Sequence, residues 1–197
     1  MQGKHLLTRS APHAGKHGTK PSRCLSLIHV AVSPGGRHRG MVIAGAIRVP
    51  CALGRGGAQI KWREGDGRTP LGLFSLRAIH YRADRVPVPR SRLPKRAVRA
   101  GDWWCDLVSD RRYNRLVRDR PPPPASEERL RRRDNLYDII VEIGFNDRPV
   151  VRGKGSGIFW HVARPAFSPT AGCIATSLAA LQRVLPFIGP HTRIRIG

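Results

Sequence analysis

Short apolar segments, each bounded by glycine, proline or charged residues, run along most of the chain. This pattern is typical of β-strands and predicts a mainly β fold. The strongest signal is DIIVEIGF at 138–145, because its apolar residues are nearly continuous and several are β-branched. Further strands are predicted at 24–32, 41–44, 46–51, 71–79, 158–160 and 192–196. Gly45 separates two of them and indicates a tight hairpin, and the last strand is expected to close the sheet.

One stretch near the C-terminus has helical rather than strand-like periodicity. In SLAALQRV, residues 177–184, the apolar residues recur at helical spacing. Thr176 or Ser177 can cap the N-terminus of this helix, and Pro186 with Gly189 ends it. The expected architecture is therefore a β-sandwich or open barrel with one or two short helices.

The 197 residues suit one domain with irregular extensions. Residues 1–23 hold five Lys or Arg, no acidic residue and few apolar ones, which is typical of a flexible basic arm. The domain is therefore expected at 24–197. The segment 24–32 also resembles the apolar part of a secretory signal, but its short length, His29 and the turn that follows favour a first strand.

Residues 82–135 form an irregular insertion rich in proline and arginine, including the run Pro121–Pro124. Trp103, Trp104 and Tyr113 offer apolar anchors, so the insertion is expected to be ordered. Its predicted role is a lid or wall of a substrate cleft, and a surface loop without function is the alternative.

The charge of the chain is strongly positive, because 36 Lys and Arg residues against 13 Asp and Glu give a formal net charge of +23. Such a charge indicates a polyanionic neighbourhood, which nucleic acid, acidic lipid or an anionic envelope polymer could supply. The basic residues are scattered and form no known nucleic-acid-reading motif, so nucleic acid is not expected to be an obligate partner. No apolar run approaches the ~18 residues of a membrane-spanning helix, so none is expected. The oligomeric state stays open.

The four cysteines, Cys24, Cys51, Cys105 and Cys173, form no CxxC motif and no Cys/His run with zinc spacing, so no metal site is expected. A disulfide scaffold is not expected in a chain of this length. Cys51 lies within a predicted strand and Cys24 beside one, and both are interpreted as buried free thiols. Cys173 is the only one of the four whose neighbours in the sequence indicate a chemical role.

Cys173 follows a glycine and is predicted to lie just ahead of the helix. A thiol at a helix N-terminus ionises more easily, because free N–H groups and the helix dipole favour the thiolate. His161 lies twelve positions upstream, at the tip of the apolar run 158–160. Nucleophilic Cys/His pairs meet only in the fold, so these residues predict nucleophilic catalysis. Two unrelated packing residues are the alternative interpretation.

The stretch 157–177 resembles the signature of the L,D-transpeptidase (YkuD-type) catalytic domain, a His followed by Ser/Thr-His-Gly-Cys and an aliphatic residue. The matching positions are occupied by His161, Thr170, Gly172, Cys173 and Ile174. Ala171 stands in the place of the second His, and Ala175 and Thr176 replace the Arg or Asn often found after the Cys. These departures leave the pair intact and bear on substrate contacts.

A second string supports the same resemblance. EGDGRTPLG at 64–72 resembles an element of one branch of the family, in which it precedes a core strand near the substrate cleft. The strings Trp104-Cys105-Asp106 and Tyr113-Asn114-Arg115 also look like that branch. Two separate strings in the right order, about 100 residues apart, are more specific than either one.

The resemblance implies a cysteine acyltransferase that cleaves an L,D-peptide bond in peptidoglycan stem peptides. Cys173 would be the nucleophile and His161 the base, oriented by the backbone carbonyl of Val162. The N–H groups of Gly172 and Cys173 would stabilise the oxyanion. The predicted substrate contacts are Thr170, Arg164 and Trp160. Neither a metal nor an organic cofactor is expected.

The resemblance leaves the acyl acceptor open. An amine would give transpeptidation, with roles in cell-wall cross-linking and cell shape and with carbapenems as inhibitors. Water would give a carboxypeptidase, and a protein amine would give protein anchoring. The substrate implies the cell envelope or periplasm, although the first 32 residues hold no convincing signal and a cytoplasmic location stays open. A basic nucleic-acid-binding module with this fold is the remaining alternative.

Overall fold

The computed structural model describes residues 24–118 and 128–197, and the predicted basic arm at 1–23 and the run Pro121–Pro124 lie outside these ranges. The described strands are β1 Leu27–Val32, β2 Arg39–Ala44, β3 Ile47–Ala52, β4 Ala58–Gln59, β5 Thr69–Pro70, β6 Gly72–Tyr81, β7 Lys95–Ala97, β8 Trp103–Cys105, β9 Arg115–Val117, β10 Ile139–Ile143, β11 Phe159–Val162, β12 Ile174–Thr176 and β13 Arg193–Ile196. The α-helix described is α1, Leu178–Val184, and single 3₁₀ turns lie at Pro165–Phe167 and Leu185–Phe187.

The main sheet closes on itself like a barrel. Its strands are hydrogen-bonded in the order β10-β11-β12-β3-β2-β1-β13-β6-β7, and β10 also pairs with β6. Closure depends on the ten-residue strand β6, since its first half pairs with β13 and its second half with β10. The register of β10 shifts between Val141 and Ile143, an irregularity of the kind that bends a strand. The mainly β, barrel-like fold with one short helix is confirmed.

The local elements follow the apolar pattern closely. β10 lies within the predicted segment 138–145, and β2 and β3 form the hairpin, whose turn holds Gly45 at a φ of 61°. Ser177 caps α1, because its hydroxyl accepts a hydrogen bond from Ala180 N at 3.2 Å. The first strand starts at Leu27 rather than at residue 24, because its pairing with β13 begins at Leu27.

The apolar side chains divide between two clusters on opposite faces of the sheet around β11. Trp160 and Ile174 belong to the main core, which α1 covers, whereas Phe159 and Cys173 belong to a smaller cluster beneath the insertion. The anchors of the insertion are buried: Trp103 is 0 %, Trp104 5 % and Tyr113 2 % exposed. Burying each large side chain stabilises the fold by about 1.5–3 kcal/mol, which explains how the described part of the insertion packs against the rest of the domain.

In the part of the chain that the structure describes, no helix has both the length and the apolar character that crossing a membrane requires.

Candidate active site

Strand register brings Cys173 and His161 to one face of the sheet. The parallel pair β11–β12 sets Trp160 opposite Ile174 and His161 opposite Ala175. Because side chains alternate along a strand, Trp160 and Ile174 point into the main core and their neighbours point the other way. Cys173, which directly precedes β12, therefore shares the face of His161. Both side chains line one cleft of about 630 Å³.

The thiol of Cys173 is protonated in this environment. Its Sγ donates to Gly157 O at 3.3 Å and accepts from Phe159 N at 3.4 Å. Burial raises the pKa of the Cys173 thiol to about 12, since the charged thiolate loses its hydration. A thiol held in this way needs a base before it can act as a nucleophile.

The expectation that Cys173 lies at a helix N-terminus is wrong. Residues 174–176 form β12, which inserts between β11 and β3, and α1 begins only at Leu178. Ile174 and Thr176 are β-branched, and both are 0 % exposed. Such residues favour a buried strand, which separates Cys173 from the start of the helix. The helix dipole therefore does not ionise this thiol.

His161 has the geometry of a neutral base. Its Nδ1 lies 2.8 Å from Val162 O, and because a carbonyl only accepts, Nδ1 carries the proton and Nε2 keeps its lone pair. Burial lowers the pKa of His161 to about 4, so the imidazole is neutral at physiological pH. Tyr137 packs edge-on against the ring, with 5.3 Å between the centroids, and restricts its orientation.

Thr170 braces the loop that carries the cysteine. Its Oγ1 donates to Cys173 O at 2.7 Å and accepts from Gly172 N at 3.1 Å, and its backbone pairs with Leu53 and Arg55. The N–H of Gly172, which the sequence predicted as an oxyanion donor, is thus already bound to Thr170. The role of Gly172 N–H as an oxyanion donor therefore stays a prediction, and Cys173 N–H is the other candidate donor. Gly172 itself has a φ of 143°, in the range that favours glycine.

Of the predicted substrate contacts, Arg164 and Thr170 line the cleft and Trp160 does not. The Trp160 side chain is 0 % exposed in the main core, and its Nε1 donates to Thr176 Oγ1 at 2.9 Å. The predicted substrate contact of Trp160 is therefore wrong. Side chains alternate along β11, so Trp160 lies on the face opposite to His161 and packs in the main core.

The glycine-rich string at 64–67 forms one wall of the cleft. Asp66 accepts from Lys61 Nζ at 2.6 Å and from the backbone N–H groups of Trp62 and Arg68 at 3.0 Å each. Partial burial raises the pKa of Asp66, but the hydrogen bond from Lys61 and those from the backbone outweigh it and lower this pKa to about 2. Lys61, whose side chain is 2 % exposed, was not predicted as a site residue. Only the tertiary pairing with Asp66 identifies it.

The insertion forms the facing wall, with Asp106, Glu128 and Arg132 at the cleft. Tyr137 OH donates to Glu128 Oε1 at 2.5 Å, and burial raises the pKa of this carboxyl. Sequence reasoning missed Glu128, because no motif surrounds it. The described part of the insertion thus lies where a wall of the cleft was predicted. Its predicted alternative role, closure as a lid, stays a prediction.

Asn114 ties the insertion to the segment between β10 and β11. Its Oδ1 accepts from Trp104 Nε1 at 3.0 Å and from Gly157 N at 3.1 Å. Its Nδ2 donates to Phe145 O at 3.0 Å and to Asn146 O at 2.7 Å. Gly157 O is the acceptor of the Cys173 thiol, so Asn114 positions the loop on which the resting thiol depends.

Replacing Asn114 with alanine is expected to lower the free energy of unfolding by about 2–4 kcal/mol, because buried polar groups lose their partners. The residue also has a φ of 58°, which asparagine tolerates better than alanine. Chemical denaturation would measure the change. Asn135→Ala is the matched control, since Asn135 is exposed. Equal effects of both substitutions would contradict the role of Asn114.

The chain was compared with known protein families, curated proteins and solved structures. The family model YkuD, the L,D-transpeptidase catalytic domain, matches residues 34–196. No curated protein matches the chain, and no solved structure matches it. The matched residues run from the turn before β2 through β13 and include both walls of the cleft. This family acts on peptidoglycan peptides. Because the match covers most of the chain, the protein belongs to the family of YkuD L,D-transpeptidase catalytic domains.

Proposed function

We propose that this protein is a cysteine acyltransferase that cleaves an L,D-peptide bond in a peptidoglycan stem peptide and transfers the acyl group to an amine. The observation that carries the proposal is the shared face of Cys173 and His161 in one cleft. A buried thiol and an imidazole that is held through Nδ1 by a backbone carbonyl, both lining one cleft, are the groups that nucleophilic catalysis needs. Family membership supplies the substrate class.

The first half of the reaction forms a thioester. As Cys173 Sγ attacks the carbonyl carbon before the terminal D-amino acid, its proton passes to His161 Nε2. Burial disfavours both the free thiolate and the free imidazolium, so the transfer accompanies the attack rather than preceding it. The N–H of Cys173 is the proposed donor to the oxyanion. Collapse breaks the C–N bond, and the leaving amine takes the proton from His161.

The second half releases the enzyme. An acceptor amine attacks the thioester carbonyl, His161 Nε2 removes one amine proton, and the C–S bond breaks. The thiolate then takes this proton from the imidazolium, which restores the resting pair. Water in place of the amine makes the enzyme a carboxypeptidase, and an amine on a protein makes it an anchoring enzyme. Because the substrate is a wall polymer, we place the reaction in the cell envelope.

Intact mass spectrometry tests the reaction. Incubation with a purified tetrapeptide muropeptide is expected to add the mass of the muropeptide minus the terminal D-amino acid, on Cys173. Adding an amine-bearing acceptor should remove the adduct and release a cross-linked product, whereas a carboxypeptidase would give the hydrolysed tripeptide in both cases. Absence of both adduct and turnover with muropeptides would refute the proposed function.

A further inference from the structure

In one surface segment beside the cleft, the charged side chain is buried and the apolar side chains are exposed. In Ile60-Lys61-Trp62, the side chain of the charged residue is 2 % exposed, whereas Ile60 is 61 % and Trp62 66 % exposed. Trp62 is the most exposed large hydrophobic residue of the described chain. Tryptophan is enriched among the residues that contribute most to binding, because its large flat face gains contact area when a ligand covers it.

Hydrogen bonds fix the backbone of the loop that carries the exposed indole. Trp62 N donates to Asp66 Oδ2 at 3.0 Å, and Arg68 Nη1 donates to Ile60 O at 3.1 Å. Glu64 N donates to Gly153 O at 2.7 Å, which ties the same loop to the segment before β11. A backbone that is already fixed loses less conformational entropy on binding, so a ligand that contacts Trp62 need not order this loop.

The loop also forms the rim of the catalytic cleft. Lys61 and Glu64, which flank the exposed residue along the chain, both line the cleft that holds Cys173. Trp62 therefore lies just outside the cleft wall rather than within it. A ligand that contacts Trp62 would be the part of a bound substrate that extends beyond the peptide.

We propose that Trp62, with Ile60, binds a sugar ring of the peptidoglycan glycan strand. This inference rests on the proposed function, in which the cleft holds the stem peptide. A stem peptide is attached to a polysaccharide. When the peptide lies in the cleft, the sugar that carries it therefore lies at the rim. The C–H face of a pyranose fits the flat indole, and the exposed guanidinium of Arg63 can donate to the sugar's hydroxyl or N-acetyl oxygens.

Kinetics with two donors tests the contact: a free tetrapeptide and the same tetrapeptide carrying its disaccharide. Trp62→Ala is expected to raise KM for the disaccharide form about fivefold, the size of an aromatic contact, with kcat unchanged. KM for the sugar-free peptide should stay the same, and Trp62→Phe should restore part of the loss. Val88→Ala is the control, since Val88 is 59 % exposed and does not line the cleft.

Three outcomes would overturn the inference. Equal losses on both donors would assign Trp62 to the peptide cleft, and no loss on either would remove it from recognition. Loss of binding to anionic lipid vesicles with unchanged sugar dependence would identify a membrane contact. If wild type turns over neither donor, the proposed function fails. Calorimetry with a soluble tetramer of N-acetylglucosamine then decides alone: binding that Trp62→Ala weakens supports the contact, and no binding refutes it.

Discussion

Cys173→Ala is expected to abolish acyl transfer, with kcat reduced by at least about 10⁴-fold, because the nucleophile is lost and only cleft binding remains. The fold should persist, since the thiol is small and its two contacts, with Gly157 O and Phe159 N, are long and weak. Turnover would be measured as release of the terminal D-amino acid from a muropeptide. Circular dichroism would verify the fold.

A buried cysteine away from the cleft is the matched control for this substitution. Cys51 is 2 % exposed within β3 and does not line the cleft. Cys51→Ser is expected to keep catalytic turnover while lowering stability by about 1–3 kcal/mol, because a hydroxyl is buried without a partner. The corresponding changes at Cys24 and Cys105 should also spare turnover. Full activity of Cys173→Ala would exclude the thioester mechanism.

A carbapenem is expected to acylate Cys173, and this labelling should depend on His161. The strained amide carbonyl of the inhibitor resembles the scissile bond, so one inhibitor mass should be added to the intact protein. Peptide mapping should locate the adduct on Cys173. His161→Ala should slow labelling at neutral pH by about 10²–10⁴-fold, the usual contribution of general base catalysis.

The pH dependence of labelling distinguishes a base from a structural residue. His161 must be neutral to accept the thiol proton, and its pKa is lowered to about 4. Labelling of the wild type should therefore persist below pH ~6.5, where an ordinary imidazole is half protonated, and fall only towards the lowered pKa. Without His161 the thiol must ionise by itself. Because burial raises its pKa to about 12, labelling of the variant should rise with pH beyond the ~8.5 of a free thiol.

His80→Ala is the matched control for the histidine. His80 is 2 % exposed, pairs with Glu142 at 3.2 Å and does not line the cleft. Its loss should affect stability and leave the pH profile of labelling unchanged. An adduct on Cys24, Cys51 or Cys105, or equal labelling rates with and without His161, would mean that the wrong residues have been paired.

The sequence by itself determined the elements whose signals are local. Alternating and β-branched apolar residues predicted β10 and the β2–β3 hairpin, and the capping residues Thr176 or Ser177 before a helical repeat predicted the start of α1. It also singled out Cys173 and His161, because the residue types and their order resemble a family signature. Both kinds of signal lie within one stretch of chain and need no knowledge of distant residues.

Only the tertiary structure decided which face each side chain points to and what surrounds it. Insertion of residues 174–176 into the sheet removed Cys173 from the helix terminus, and the β11–β12 register turned Trp160 into the core. Lys61 is likewise buried against Asp66, and Trp62 is left exposed, because Asp66 folds the loop at 61–68 through its hydrogen bonds. Strand partners, burial and the pKa values that follow from burial are set by residues far apart in the chain, which local patterns do not record.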